Sequence, residues 1–120
     1  MAHILIVEDD ATIRMSLYMV LTMEGHEVGT AANGEDALEY LRHHRPCLIL
    51  LDLMMPVMDG RSFRARQLSD TALATIPVAL MSGALGAADV VRDLKIDDLV
   101  LKPFQPDRIY PLLEKHCGRL

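Results

Sequence analysis

Acidic, hydroxyl and ammonium side chains recur where short apolar runs end. Glu8, Asp9 and Asp10 come after the run at 3–7, Asp52 after the run at 47–51, Ser82 after the run at 76–81 and Lys102 after the run at 99–101. These are the groups phosphoryl transfer uses. A carboxylate can act as a nucleophile and form an aspartyl-phosphate, and the rest of that reaction is mostly positioning and neutralisation of charge. Carboxylates brought together repel: at about 4 Å and an effective dielectric near 20, each pair costs roughly 4 kcal/mol. That is large beside a domain stability of about 5–15 kcal/mol. A hard divalent cation with oxygen ligands relieves it, and Mg2+ commonly takes one or two carboxylates with phosphate oxygens and water. Lys102 adds a second positive charge, and Ser82 is a hydrogen-bond donor for new phosphoryl oxygens. Singly, each residue has an ordinary explanation: Asp10 as a helix cap, Asp52 as a turn residue near Asp59-Gly60, Ser82 as a loop start, Lys102 as a surface lysine. Their common position at strand ends favours one site.

The elements that carry them can be read from the pattern of apolar residues. The four runs are near-continuous rather than alternating, as expected of strands covered on both faces of a parallel sheet. A weaker run at 26–30 predicts a fifth strand, at an edge. Ile13, Leu17, Val20 and Leu21 make one apolar helical stripe ending at Gly25, which suits a C-terminal cap. Asn33 caps a second helix with Ala37, Leu38 and Leu41 inward and His43-His44-Arg45 at its negative end; Asp59-Gly60 opens a third. Residues 86–94 suggest a short fourth helix and 105–117 a fifth, with Pro106 where an early proline is tolerated. The βαβαβαβαβα order predicts an open parallel sheet with helices on both faces. In the strand order 2-1-3-4-5, strands one and three are neighbours, and Glu8, Asp9 and Asp52 converge where the order reverses.

Bulk properties bound the reading. The chain has 120 residues, of which 51% are hydrophobic and 24% charged, so a single domain over 1–120 with an aliphatic core is expected. The net charge of -5 argues against direct nucleic-acid binding. The apolar start stops at Glu8, too short for a signal peptide or membrane span. Cys47 and Cys117, far apart and without metal-ligand spacing, read as reduced thiols in a cytoplasmic protein. No two histidines stand at i, i+4 spacing, so zinc is not expected. Met54, Met55 and Met58 read as packing or partner surface.

Ile4-Leu5-Ile6-Val7-Glu8-Asp9-Asp10, the stretch from Leu51-Asp52-Leu53-Met54-Met55-Pro56 through Asp59-Gly60, Met81-Ser82-Gly83-Ala84 and Leu101-Lys102-Pro103-Phe104 together resemble the receiver domain of bacterial two-component response regulators. The resemblance covers essentially the whole chain. It implies a flavodoxin-like (βα)5 doubly wound fold, and phosphorylation of Asp52 by a histidine kinase or histidine phosphotransfer protein. It also implies Mg2+ held by Asp9, Asp52 and the backbone carbonyl of Met54, with Glu8 acting through water, Lys102 pairing with the phosphoryl group and Ser82 reading it. The chain would be a cytoplasmic switch that catalyses only its own phosphorylation and dephosphorylation and regulates a downstream protein target, without contacting membrane. It could stand alone, shuttle in a phosphorelay, or be the receiver portion of a longer protein.

Three departures bear on output. Leu99 stands where the family often has an aromatic, Lys95 where it commonly has glycine, and the segment between Ser82 and Lys102 is short, which predicts an abbreviated fourth helix. Signalling is then expected to rely on movement of the 82–89 loop rather than on an aromatic relay. Other chemistries fit less well. A dehalogenase-type phosphohydrolase wants an acid at position 54, an FMN binder a hydroxyl- and glycine-rich loop where Glu8-Asp9-Asp10 stand, and a P-loop nucleotidase a glycine-rich loop with its lysine. The alternative from another class is a phosphorylation-independent, receiver-like interaction scaffold.

Overall fold

The computed structural model describes residues 2–83, 86–102 and 106–118. Strands β1 (His3–Val7), β2 (Glu27–Ala31), β3 (Leu48–Asp52), β4 (Val78–Ser82) and β5 (Asp98–Leu101) alternate with helices α1 (Ala11–Met23), α2 (Gly34–Leu41), α3 (Gly60–Ser69), α4 (Ala87–Asp93) and α5 (Tyr110–Cys117). The strands are parallel, in the order β2-β1-β3-β4-β5. The weak run does become an edge strand, and the short fourth helix is present.

The continuous apolar runs are explained by the pleat, which sends alternate residues to opposite faces. Leu5, Val7, Ile49, Leu51, Val78 and Leu80 meet Ala37 and Leu41 of α2, Phe63 of α3 and Ile96. Ile4, Ile6, Leu48, Leu50, Ala79, Met81 and Val100 meet Leu17 and Leu21 of α1 with Ile109 and Leu113. The central strands β1, β3 and β4 are therefore buried on both faces, with their polar side chains at the strand ends.

Local caps set the helix boundaries. Asp10 accepts from the Thr12 and Ile13 amides, Asn33 from Asp36 and Asp59 from Ser62. Gly25, at φ +91°, lies just past α1 as expected. The second helix stops at Leu41, so His43 and His44 lie just beyond it, their amides donating to the Tyr40 carbonyl. The fifth helix begins later than expected. Pro106 opens a separate 3-10 turn, Pro106–Arg108, and the early proline of α5 is Pro111. With no N–H at 111, the ladder cannot run through from 106, so the turn and the helix are separate. Position 105, Ala84, and the Pro103 and Phe104 of the Lys-Pro-Phe motif lie outside the described residues.

The cysteines overturn the expectation of free thiols. Cys47 and Cys117, separated by 70 residues, form a disulfide with Cα atoms 5.3 Å apart. The Cys47 amide donates to the His3 carbonyl at 2.8 Å, which holds it at the start of β3. The last turn of α5 ends over that point. Distance along the chain carried no information about this encounter in space.

Candidate functional site

The sheet register builds the site. Val7 pairs with Leu51, so Glu8 and Asp52 come next on adjacent strands. Asp52 pairs with Met81 and Ser82 with Leu101, and the Lys102 amide donates to the Ser82 carbonyl at 2.7 Å. Together with Asp9, these residues gather at the carboxyl edge, where the strand order reverses.

Glu8, Asp9 and Asp52 each offer a carboxylate oxygen within 4.8 Å of the others. Glu8 and Asp52 are buried and Asp9 is exposed. Lys102 reaches in from the end of β5: its Nζ donates to Glu8 Oε1 at 2.5 Å and to Asp52 Oδ1 at 3.5 Å. Glu8 is therefore its main partner, and Asp52 is only partly neutralised. Burial, then the Glu8 carboxyl and the nearby Asp9, push the Asp52 carboxyl up to about 7 against the lowering effect of Lys102. Burial works to lower the Lys102 pKa, but the Glu8 hydrogen bond and the Asp52 and Glu8 charges outweigh it and raise it. The three acids with one lysine leave excess negative charge facing solvent at Asp9. An all-oxygen, partly open donor set of this kind fits a hard dication such as Mg2+.

Asp10 stands outside this group and caps α1. Ser82 is buried at the end of β4. Met54 carries its side chain in solvent, while Met55 joins the core and Met58 packs against it. The loop between β3 and α3 is pinned by the Gly60 amide to the Leu53 carbonyl and the Gly34 amide to the Met58 carbonyl, both at 2.8 Å. A Cβ on Gly60 would stand 2.7 Å from the Asp52 carbonyl oxygen, so only glycine lets α3 start this close to the phosphoacceptor candidate.

Sequence reasoning missed Arg14. Its Nη1 donates to the Glu8 carbonyl at 2.7 Å and the Asp9 carbonyl at 3.3 Å, tying the acidic turn to α1. The one signal for it was a cation near the positive end of a helix, a position that needs nearby acceptors.

Fold and site together define a doubly wound α/β protein with a cleft suited to a dication and a phosphoryl group. The chain belongs to the response regulator receiver domain family, whose family model matches residues 4–114. It is 43% identical over 107 residues to the transcriptional regulatory protein AfsQ1 of Streptomyces coelicolor, covering 88% of this chain and 46% of that protein. The chain spans about half the length of the curated relatives it matches. A crystal structure of a putative response regulator from Chloroflexus aurantiacus superposes with a TM-score of 0.89 at 28% identity, covering 98% of each chain. The receiver domain of the sensor histidine kinase PA1611 from Pseudomonas aeruginosa has a TM-score of 0.88 at 23% identity, covering 98% of each chain; that structure holds magnesium in its active-site cleft. The phosphorylation-independent scaffold is accordingly not favoured.

Proposed function

We propose that Asp52 accepts a phosphoryl group from a histidine kinase or histidine phosphotransfer protein, and that the resulting change at Ser82 and Lys102 is read by a downstream protein target. The observation that carries this reading is the convergence of the Glu8, Asp9 and Asp52 carboxylates, with Lys102 shared between Glu8 and Asp52. An Asp52 oxygen attacks phosphorus, the P–N bond of the donor phosphohistidine breaks, and its electron pair stays on the imidazole nitrogen. Asp9, Asp52 and the Met54 carbonyl would hold Mg2+, with Glu8 acting through water; the ion supplies neutralisation of the carboxylates and of the transferred oxygens. Lys102, already 3.5 Å from Asp52, shifts its pairing from Glu8 towards the phosphoryl group, and the Ser82 hydroxyl donates to it. The chain catalyses its own phosphorylation and dephosphorylation and acts on no separate substrate.

The setting belongs to the same reading: residues 1–120 as one receiver domain, working in the cytoplasm without direct nucleic-acid or membrane contact. No helix among the described residues is long and apolar enough to cross a membrane, and the net charge is -5. Leu99, Val90, Val91 and Leu94 pack against the core; the expected moving segment, 82–89, runs from the loop after Ser82 into the first turn of α4, and its residues 84 and 85 lie outside the described residues. Unchanged amide exchange in that segment on phosphorylation would exclude this route.

The direct test is intact mass after incubation with a small acyl phosphate and Mg2+. One phosphoryl adduct is expected on the wild type, and none in Asp52→Asn or without the metal. An adduct that persists in Asp52→Asn would refute Asp52 as the acceptor.

A further inference from the structure

We propose that Cys47 and Cys117 form a reversible thiol–disulfide modification site, which sets how firmly α5 is docked and gives the chain a second input besides phosphorylation. The bridge joins the residue before β3 to the last residue of α5. Asp52 lies at the far end of the same strand, five residues on, about 17 Å away at the rise of a strand. The two chemistries are therefore spatially separate.

Both oxidation states are provided for. Cys47 and Cys117 are half-buried rather than sealed in the core, so a small thiol or disulfide can reach them. The Cys47 sulfur lies 3.3 Å from the His3 carbonyl oxygen, a ready acceptor for the S–H proton of the reduced form. With the bridge open, the last turn of α5 keeps only non-covalent anchors. Leu113 is buried in the core. Lys115 Nζ lies 2.9 Å from Asp98 Oδ1, and His116 Nε2 lies 2.5 Å from Asp98 Oδ2 at the start of β5. Lys115 is exposed, so its ion pair adds little, and neither contact to Asp98 holds the helix end as a covalent bond does. Reduction is thus expected to loosen α5 without unfolding the sheet.

The oxidant is a small disulfide such as glutathione disulfide. One cysteine thiolate attacks it, forming a mixed disulfide and releasing one glutathione thiolate; the second cysteine thiolate then displaces the other. In total, two protein thiols and one glutathione disulfide become one protein disulfide and two glutathione thiols. Half-buried thiols in a reducing compartment would be driven back the other way, which makes the bond conditional rather than permanent.

The test equilibrates the whole chain in glutathione buffers from fully reduced to fully oxidised. Free thiols are trapped with iodoacetamide and counted by intact mass, and amide exchange is followed in parallel. Two alkylated cysteines at the reduced limit and none at the oxidised limit are expected, reversibly and with the sheet still protected. Amides at 112–117 should exchange at least tenfold faster when reduced, while β1 and Asp52 adduct formation stay unchanged. Cys117→Ser should show the fast exchange in every buffer. Two free thiols in oxidised glutathione, a bridge that opens only on unfolding, or equal exchange of α5 in both states would each overturn the proposal.

Discussion

Among single residues, the Asp52 proton is the most informative quantity. Its carboxyl titrates near 3.9 when unfolded and at about 7 in the fold, because burial and the neighbouring Glu8 and Asp9 disfavour the charge more than Lys102 favours it. The folded state therefore binds the extra proton between those values. The stability this group contributes is complete below about pH 4 and is lost as pH rises through 7. In metal-free protein, the urea midpoint of the wild type relative to Asp52→Asn is expected to fall between pH 5 and pH 8, with Mg2+ restoring it at the upper end. A wild-type midpoint that rises relative to the mutant over that range would contradict the assignment. Glu8, Asp9, Asp52, Ser82 and Lys102 were legible because each stands at or next to the end of an apolar run. Arg14 was not, because its role lies in two backbone carbonyls that it meets only once the turn has closed.

Among the elements, the connection from α4 to β5 is held by an unusual pairing. Lys95 takes φ +54°, the left-handed region that costs an L-residue about 1–2 kcal/mol. Arg64, buried on α3, donates from Nε to the Leu94 carbonyl at 3.1 Å and from Nη2 to the Lys95 carbonyl at 2.6 Å. Its Nη1 donates to Gln67 at 2.7 Å. Arg64 thus satisfies carbonyls at the end of a seven-residue helix in which Ala87 alone is buried. Lys95→Gly is expected to raise stability by about 0.5–1 kcal/mol, since glycine enters this region freely but loses more entropy on ordering. Arg64→Ala should lower it by about 2–4 kcal/mol, since it removes a buried side chain that bonds the part-buried Leu94 and Lys95 carbonyls; urea unfolding measures both. A Lys95→Gly variant less stable than wild type would mean that the strain is relieved elsewhere. The departure at Lys95 was visible in the sequence, but its compensation by Arg64, on another helix, was not.

Across the whole molecule, the Cys47–Cys117 bridge closes a loop spanning 70 residues. Cross-links of that span constrain the unfolded chain by about 4 kcal/mol on the loop-entropy account, with typical measured effects of about 2–4. Reduction is therefore expected to lower Tm by roughly 10 °C for a domain of this size, as calorimetry with and without reductant would show. An unchanged Tm would mean that the bridge adds nothing to the folded state. The alternation of strands and helices, the two-faced sheet and the acids, serine and lysine of the cleft were all present in the amino-acid order. They are written in local periodicity and in the polar residues placed at the end of each apolar run. The pairing of Lys102 first with Glu8, the hold of Arg14 and Arg64 on backbone carbonyls, and the meeting of two distant cysteines came only with the folded chain. Each depends on distances across the sheet and its covering helices, and separation along a chain does not encode distance in space.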